Sequence, residues 1–291
     1  MPLITVQDYI RPRTPKEAVD ALSSNAGKAK IIAGGTMIHE LAERGLLPHI
    51  NVLVDIAGIG LDSVRDNEDE ICIGSASIIA DLVDNKSFHT PPYMAFCDAL
   101  KNLRPVQVRN VATLGGGICS ALSYLDMPIA LCAIGAKLRI LGPDGVRVSN
   151  IRNFFRDMFV PELTENELLL EVFLPRENGR TASSFLKIGR TTSDYGVVNL
   201  ATKITIDKSS QCLDAAVFIG NMDKTPYRAK EAEAVLKGNP IDQETIEKAM
   251  RVTPAMDPIP SIHASSGYKK ELVKILLRDA IQLAHMRITK V

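Results

Sequence analysis

The sequence predicts an α+β protein in two parts. Up to Pro175 strand and helix patterns alternate, with glycine-rich turns at two of the junctions. A polar link, Arg176–Arg180 (RENGR), then breaks the apolar patterning. Beyond it three strand patterns come first and three helix patterns follow, the order of an α+β domain. The expected division is residues 1–175, in two α/β subdomains of roughly 1–58 and 59–175, and residues 180–291.

Thr14-Pro15-Lys16-Glu17 opens the first helix: Thr14 is placed to cap, Pro15 suits the first helical position, and Glu17 completes a capping box. Ala18, Val19 and Leu22 supply its apolar stripe. A short strand, Ala29–Ala33, runs into Gly34-Gly35-Thr36, and helix spacing resumes from about Met37 to Arg44. Asn51–Ile56 and Glu70–Gly74 read as buried strands, and Ser77–Val83 and Pro92–Leu103 as helices. Asn110–Asp126 is glycine-rich and almost uncharged, the composition of a segment packed against something. Met127–Ile134 spaces as a helix and Ala136–Leu141 as a strand. Gly142-Pro143-Asp144-Gly145 turns that strand into Val146–Val148, a hairpin signal. Glu167–Leu174 (ELLLEVFL) is a strong strand pattern ended by Pro175. After the link, Ser184–Ile188, Val197–Ile206 and Leu213–Gly220 pattern as an antiparallel sheet. Arg228–Leu236, Gln243–Arg251 and Tyr268–Met286 pattern as helices, the last with Leu272, Ile275, Leu276, Ala280 and Leu283 on one side.

Composition excludes several functions. Apolar residues make up 46% and charged residues 23%, the balance of a globular chain rather than a disordered one. Lys plus Arg equal Asp plus Glu, 34 against 34, so no global field draws the chain to nucleic acid or an anionic membrane. Tryptophan is absent and aromatics are 5%, too few for a platform that stacks single-stranded nucleic acid. The start, MPLITVQDYIRPRTP, lacks the build of a secretion leader. No apolar run reaches the roughly 18 residues that span a bilayer. A cytoplasmic protein is expected. Cys72, Cys97, Cys119, Cys132 and Cys212 are scattered without a CxxC pair and read as buried free thiols, so no metal site is expected. His39 and Glu40 open HELAE, which lacks the second histidine of a zinc protease motif.

Two turns carry the chemistry. In Ile31-Ile32-Ala33-Gly34-Gly35-Thr36 the glycines permit positive φ and close approach of an anion, and Thr36 can cap the next helix. A tight turn needs one glycine; a second beside a helix start points to a ligand. Thr113-Leu114-Gly115-Gly116-Gly117 repeats the parts: a hydroxyl residue, an apolar spacer and glycines. Either turn alone also reads as a tight turn and nothing more. As a pair they could grip the two phosphates of one dinucleotide. Neither matches GxGxxG or GxxxxGK[ST], which leaves Rossmann and nucleotide-triphosphatase folds without support.

KIIAGGT followed by VRNVATLGGGICSALSYLDMP resembles the FAD-binding (medium) subunits of molybdenum hydroxylases, the family of the xanthine dehydrogenase and carbon monoxide dehydrogenase flavoproteins. The likeness extends through NELLLEVFLP, SSFLKIGR and the C-terminal helical part. It implies a vanillyl-alcohol-oxidase-like FAD-binding domain of two α/β subdomains, followed by a smaller α+β domain of antiparallel sheet and helices. It also implies that Lys30, Ile31, Ile32, Ala33, Gly34, Gly35, Thr36, Met37 and Ile38 wrap the FAD diphosphate and ribityl chain. Thr113, Gly116 and Gly117 would form the second phosphate-side turn. Asp126 matches an acidic residue that accepts from a ribose hydroxyl, though by local pattern it also reads as a helix cap. Leu103 stands where xanthine dehydrogenases place an aromatic packed on the flavin region. Leu169 matches a residue whose main chain contacts the flavin, and reads equally as a core strand residue. Lys187 matches a lysine near the isoalloxazine, where a cation favours anionic reduced flavin; the bland alternative is a solvated strand lysine. Arg190, Asp194 and Tyr195 lie in the adjacent loop, without an assigned role. Two departures stand out: Gly117 replaces the family's asparagine, losing an amide contact, and no cysteine-rich insert is present.

The implied function is electron transfer, with no catalytic acid, base or nucleophile in this chain. A large subunit would carry molybdopterin and a small one two [2Fe–2S] clusters, assembled as a dimer of heterotrimers. Electrons would leave for NAD+ or another acceptor. Two rivals are a flavin-free scaffold subunit and an autonomous FAD oxidoreductase of the same fold.

Overall fold

The protein is described from a computed structural model covering residues 6–47, 49–177 and 179–289. Three readings of the sequence touch positions outside that range: residues 1–5 of the stretch MPLITVQDYIRPRTP, position 178 of the RENGR link, and the last two residues of the expected C-terminal domain. In chain order the first elements are β1 (Asp8–Ile10), α1 (Pro15–Ser24), β2 (Ala29–Ile32), α2 (Thr36–Glu43) and β3 (Val52–Asp55). Next come β4 (Val64–Asp66), β5 (Glu70–Gly74), α3 (Ile79–Val83), α4 (Met94–Asn102), α5 (Val106–Arg109), α6 (Leu114–Cys119) and α7 (Asp126–Ile134). A run of strands follows: β6 (Lys137–Gly142), β7 (Gly145–Asn150), β8 (Phe155–Asp157), β9 (Val160–Pro161) and β10 (Leu168–Pro175). The last elements are β11 (Arg180–Ile188), β12 (Val198–Ile206), β13 (Cys212–Gly220), β14 (Tyr227–Arg228), α8 (Lys230–Leu236), α9 (Gln243–Val252) and α10 (Ser266–Thr289).

The chain forms two compact units that interleave in sequence. The first is Met1–Asp84, Pro105–Ala121 and Lys137–Pro175; the second is Asn85–Arg104, Leu122–Ala136 and Arg176–Val291. In the first unit β1-β3-β2 form a parallel sheet, with the wholly buried β3 (VLVD) at its centre. A continuous apolar strand in the middle of a parallel sheet is what two covered faces require. Ala18, Val19 and Leu22 of α1 join Val54, Ile56 and Leu168 in one core cluster, so the expected stripe is the buried one. Thr14 caps α1 by accepting from Glu17 N at 3.1 Å, while Glu17 Oε2 accepts from Arg13 N at 2.8 Å, one residue before the cap. The unit's second sheet is antiparallel, in the order β4-β5-β10-β6-β7. The β6–β7 hairpin turns at Gly142–Gly145 as its sequence signals.

The second unit is built on the antiparallel sheet β11-β12-β13-β14. Two hydrogen bonds mark one face: Ala95 N of α4 to Ser183 Oγ, and Lys203 Nζ to Ile134 O of α7. On the other face Ser184 Oγ donates to Ala280 O of α10. The nine residues of α7 are all buried, which explains a helix that is apolar all round. Mixed helix and antiparallel sheet is the class expected.

Candidate functional site

Thirteen of the sixteen residues singled out in the sequence lie in the first unit and three in the second. β2 delivers Lys30, Ile31 and Ile32 to the first glycine turn, and Ile31 through Ile38 are all half-buried, an apolar run that the fold leaves uncovered. Thr36 is not the cap. Gly35 occupies the N-cap in the left-handed region at φ 71°, no side chain caps α2, and Thr36 is its first residue. The N–H groups of Thr36, Met37 and Ile38 accordingly find no acceptor within the chain among the described residues. Three half-exposed donors at the start of an eight-residue helix favour an anion.

The second turn is built differently. Gly115, Gly116 and Gly117 lie inside α6, a helix that triple glycine disfavours and that its surroundings impose. Thr113 is its N-cap and accepts from Gly116 N at 3.2 Å through Oγ1 and from Gly117 N at 3.1 Å through its carbonyl. Gly115 N donates to Ser75 O at 2.7 Å and Leu114 N to Ser77 O at 3.0 Å. All four N–H groups are therefore used inside the chain. Donors at this end come from side chains: the Ser75 and Ser77 hydroxyls are buried without a partner. Leu169 is buried in β10 beside a β-bulge, where Leu170 O accepts from Ser75 N at 2.9 Å. The bulge thus holds the strand that holds α6.

The two turns touch. A β-carbon at Gly34 would overlap the Val111 carbonyl just before Thr113, and one at Gly115 would lie 2.6 Å from Ser75 Cβ. Gly34 is thus required by chain crossing and Gly35 by its positive φ, so each glycine has a structural reason independent of any ligand. What signals one is the polar inventory left over. Uncapped N–H groups beside half-exposed apolar residues, with two orphaned buried hydroxyls, fit a ligand that carries anionic oxygens, hydroxyls and apolar surface together, as FAD does.

In the second unit Leu103, Asp126 and Lys187 converge. Lys187 Nζ donates to Asp126 Oδ2 at 2.7 Å and to Asn102 O at 3.3 Å, beside Leu103 at the end of α4. Lys187 is therefore not a solvated strand lysine: its side chain is 7% exposed and that of Asp126 10%. Asp126 is not a cap either, since it is the first residue of α7 and no side chain caps that helix. Burial pushes its carboxyl up, against the opposing pull of Lys187 and Asn199. Asn199 donates Nδ2 to Asp126 Oδ1 at 2.9 Å. In the next loop Arg190 faces Asp194 at 3.4 Å, and Tyr195 packs on Tyr124 with ring centroids 4.8 Å apart.

Sequence reasoning passed over Ser75, Ser77 and Asn199. Asn199 left a trace, a polar poor strand former amid VVNLATKI; the serines left none. The five cysteines are free thiols, four of them buried and Cys119 half-buried. Burial raises Cys97 and Cys119 to about 12 and Cys212 to about 11, so none of these three is a ready nucleophile. Among the described residues no group of His, Cys, Asp and Glu could hold a metal, and no helix is long and apolar enough to cross a membrane.

The model of the FAD binding domain in molybdopterin dehydrogenase matches residues 4–177, and that of the CO dehydrogenase flavoprotein C-terminal domain matches residues 183–284. The chain is similar to the carbon monoxide dehydrogenase medium chain of Afipia carboxidovorans, at 25% identity over 96% of this chain and 97% of that one. It is similar to the xanthine dehydrogenase FAD-binding subunit of Escherichia coli O157:H7, at 27% identity over 95% of each. Its fold superposes on a chain of the carbon monoxide dehydrogenase from Hydrogenophaga pseudoflava with a TM-score of 0.92, at 25% identity over 99% of each chain. Matched by these two models over residues 4–177 and 183–284, the chain belongs to the family of FAD-binding subunits of molybdopterin dehydrogenases.

Proposed function

We propose that this chain is the electron-transfer subunit of a multi-subunit molybdenum hydroxylase. It would take electrons from a small [2Fe–2S] subunit and pass them to NAD+ or another acceptor, while a large molybdopterin subunit oxidises the substrate. The observation that carries the reading is the first turn, where Gly35 opens α2 without a side-chain cap and leaves the Thr36, Met37 and Ile38 N–H groups unpaired among the described residues. A dimer of heterotrimers and a cytoplasmic location belong to the same proposal. So does a division into an FAD module over 1–175 and a C-terminal module over 180–291, supported by the two family models meeting between 177 and 183.

Bound FAD supplies the redox chemistry. Lys30 through Ile38 would hold the diphosphate side, with the helix start as anion site and the apolar side chains covering the chain between the rings. Thr113, Gly116 and Gly117 would present a backbone surface without side chains, with the nearby serines as hydrogen-bonding groups. Asp126 keeps accepting capacity beyond its bonds to Lys187 and Asn199. Lys187 keeps its third N–H beyond Asp126 and Asn102. Because the two are paired, they would present a dipole to a flavin rather than a bare cation. Leu103 and Leu169 would contribute apolar and main-chain contact.

The purified chain should show bound-flavin absorbance at about 450 nm, a value generic to flavins. Substrate should bleach it only after the molybdopterin and iron–sulfur subunits are added. A colourless chain that takes up no FAD would return the reading to a scaffold. Bleaching of the isolated chain by substrate would make it an autonomous oxidoreductase.

A further inference from the structure

We propose that Asn199 is a positioning residue of the flavin site, aiming the Asp126 carboxylate toward the ligand by occupying its far oxygen. The proposal rests on the reading of Asp126 as an FAD ligand. Asn199 lies on β12, fully buried, paired across the sheet with Lys187 on β11 and Gly220 on β13. Its Nδ2 donates to Asp126 Oδ1 at 2.9 Å and to Tyr124 O at 3.2 Å. Lys187 holds the other carboxylate oxygen, so Asp126 is gripped at both ends.

The amide cannot be turned over. In the flipped orientation its oxygen would meet two acceptors, Asp126 and the Tyr124 carbonyl. In the orientation kept, Oδ1 is buried with no partner. A β-carbon at Gly220 would collide with that oxygen and with the Ser123 carbonyl, so the facing strand must carry glycine. Three local costs meet here: an asparagine inside a strand, a glycine opposite it, and an orphaned buried oxygen. An apolar residue at 199 would remove the first and the last, while the Ser123 carbonyl would still require the glycine. What the asparagine provides in return is its grip on Asp126 and on the turn that leads into α7, and local costs of this kind gather at functional sites.

The charged group facing Asp126 among the described residues is Lys187 from β11; α4 offers the Asn102 carbonyl, β12 the Asn199 amide, and β13 the bare Gly220. Removing the amide donor should let the carboxyl take a proton at higher pH. In the full-length flavin-free chain, Asn199→Ala should weaken FAD binding roughly tenfold at neutral pH, the loss expected for one partner of a buried charged group. In an Asp126→Asn background the same change should alter the FAD dissociation constant by less than about twofold, because the two residues act as a unit. The isosteric Asn199→Asp gives a second signature that a packing role would not produce. It should bind FAD close to the parent at acid pH, where the introduced carboxyl can donate, and progressively worse as pH rises. Additive losses, or a ratio to the parent constant at every pH, overturn the proposal. Infrared titration of Asp126 without FAD separates the two readings: should Asp126→Asn leave FAD affinity intact, Asp126 is no ligand and Asn199 loses its site role, yet a carboxyl band shifted to higher pH in Asn199→Ala would still show the grip itself. An unshifted band overturns the grip.

Discussion

Gly34 and Gly35 stand side by side for different reasons, and the difference can be measured. A methyl at Gly34 has nowhere to go, because the Val111 carbonyl fills the space. A methyl at Gly35 meets nothing closer than Ile32 Cδ1 at 3.6 Å, and its cost is the left-handed backbone alone. Gly34→Ala should therefore destabilise the flavin-free chain by about 1–3 kcal/mol through overpacking. Gly35→Asn should cost less than about 1 kcal/mol, since asparagine tolerates that conformation. Urea unfolding of both variants checks the order, and equal losses would refute it. At this scale the sequence showed that glycines were needed; the reason for each came only from the segment that crosses it.

The β6–β7 hairpin shows how an element is fastened. Arg147 on β7 donates to both oxygens of Glu167, through Nε at 2.6 Å and Nη2 at 2.9 Å, and Thr164 N donates to the same carboxylate at 2.9 Å. The Arg147 guanidinium is the main cause that holds the Glu167 carboxyl below its usual 4.5. A carboxyl depressed in the folded state adds stability above its unfolded value, and that stability is lost as pH falls through the lower folded value. Acidification below pH 4.5 should therefore cost the parent about 1 kcal/mol that Glu167→Gln has already lost. Parallel pH–melting curves for the two proteins would refute the staple. The hairpin was legible because its turn residues dictate local geometry. The helix α6 was not, since three glycines oppose helix and bonds to Thr113 and to the Ser75 and Ser77 carbonyls hold its start there.

The second unit recruits α4 and α7 from early in the chain to cover one face of a sheet that lies late in it. Ser183, Phe185, Asn199 and Lys203 all bond to partners on those two segments. A fragment of residues 180–291 should therefore keep its secondary structure but lose fixed packing, with ANS binding and a flattened near-ultraviolet circular dichroism spectrum. Cooperative unfolding of the fragment, as sharp as that of the intact chain, would count against this account. The sequence by itself determined the fold class, the order of the main elements, the glycine turns and the FAD family. These follow from periodicity, turn chemistry and motif, which are local. Tertiary structure alone decided that Thr36 does not cap, that the second turn spends its N–H groups internally, and that Lys187, Asp126 and Asn199 form one network. Those outcomes depend on which distant segment supplies the acceptor, the space or the countercharge, and no local pattern records that.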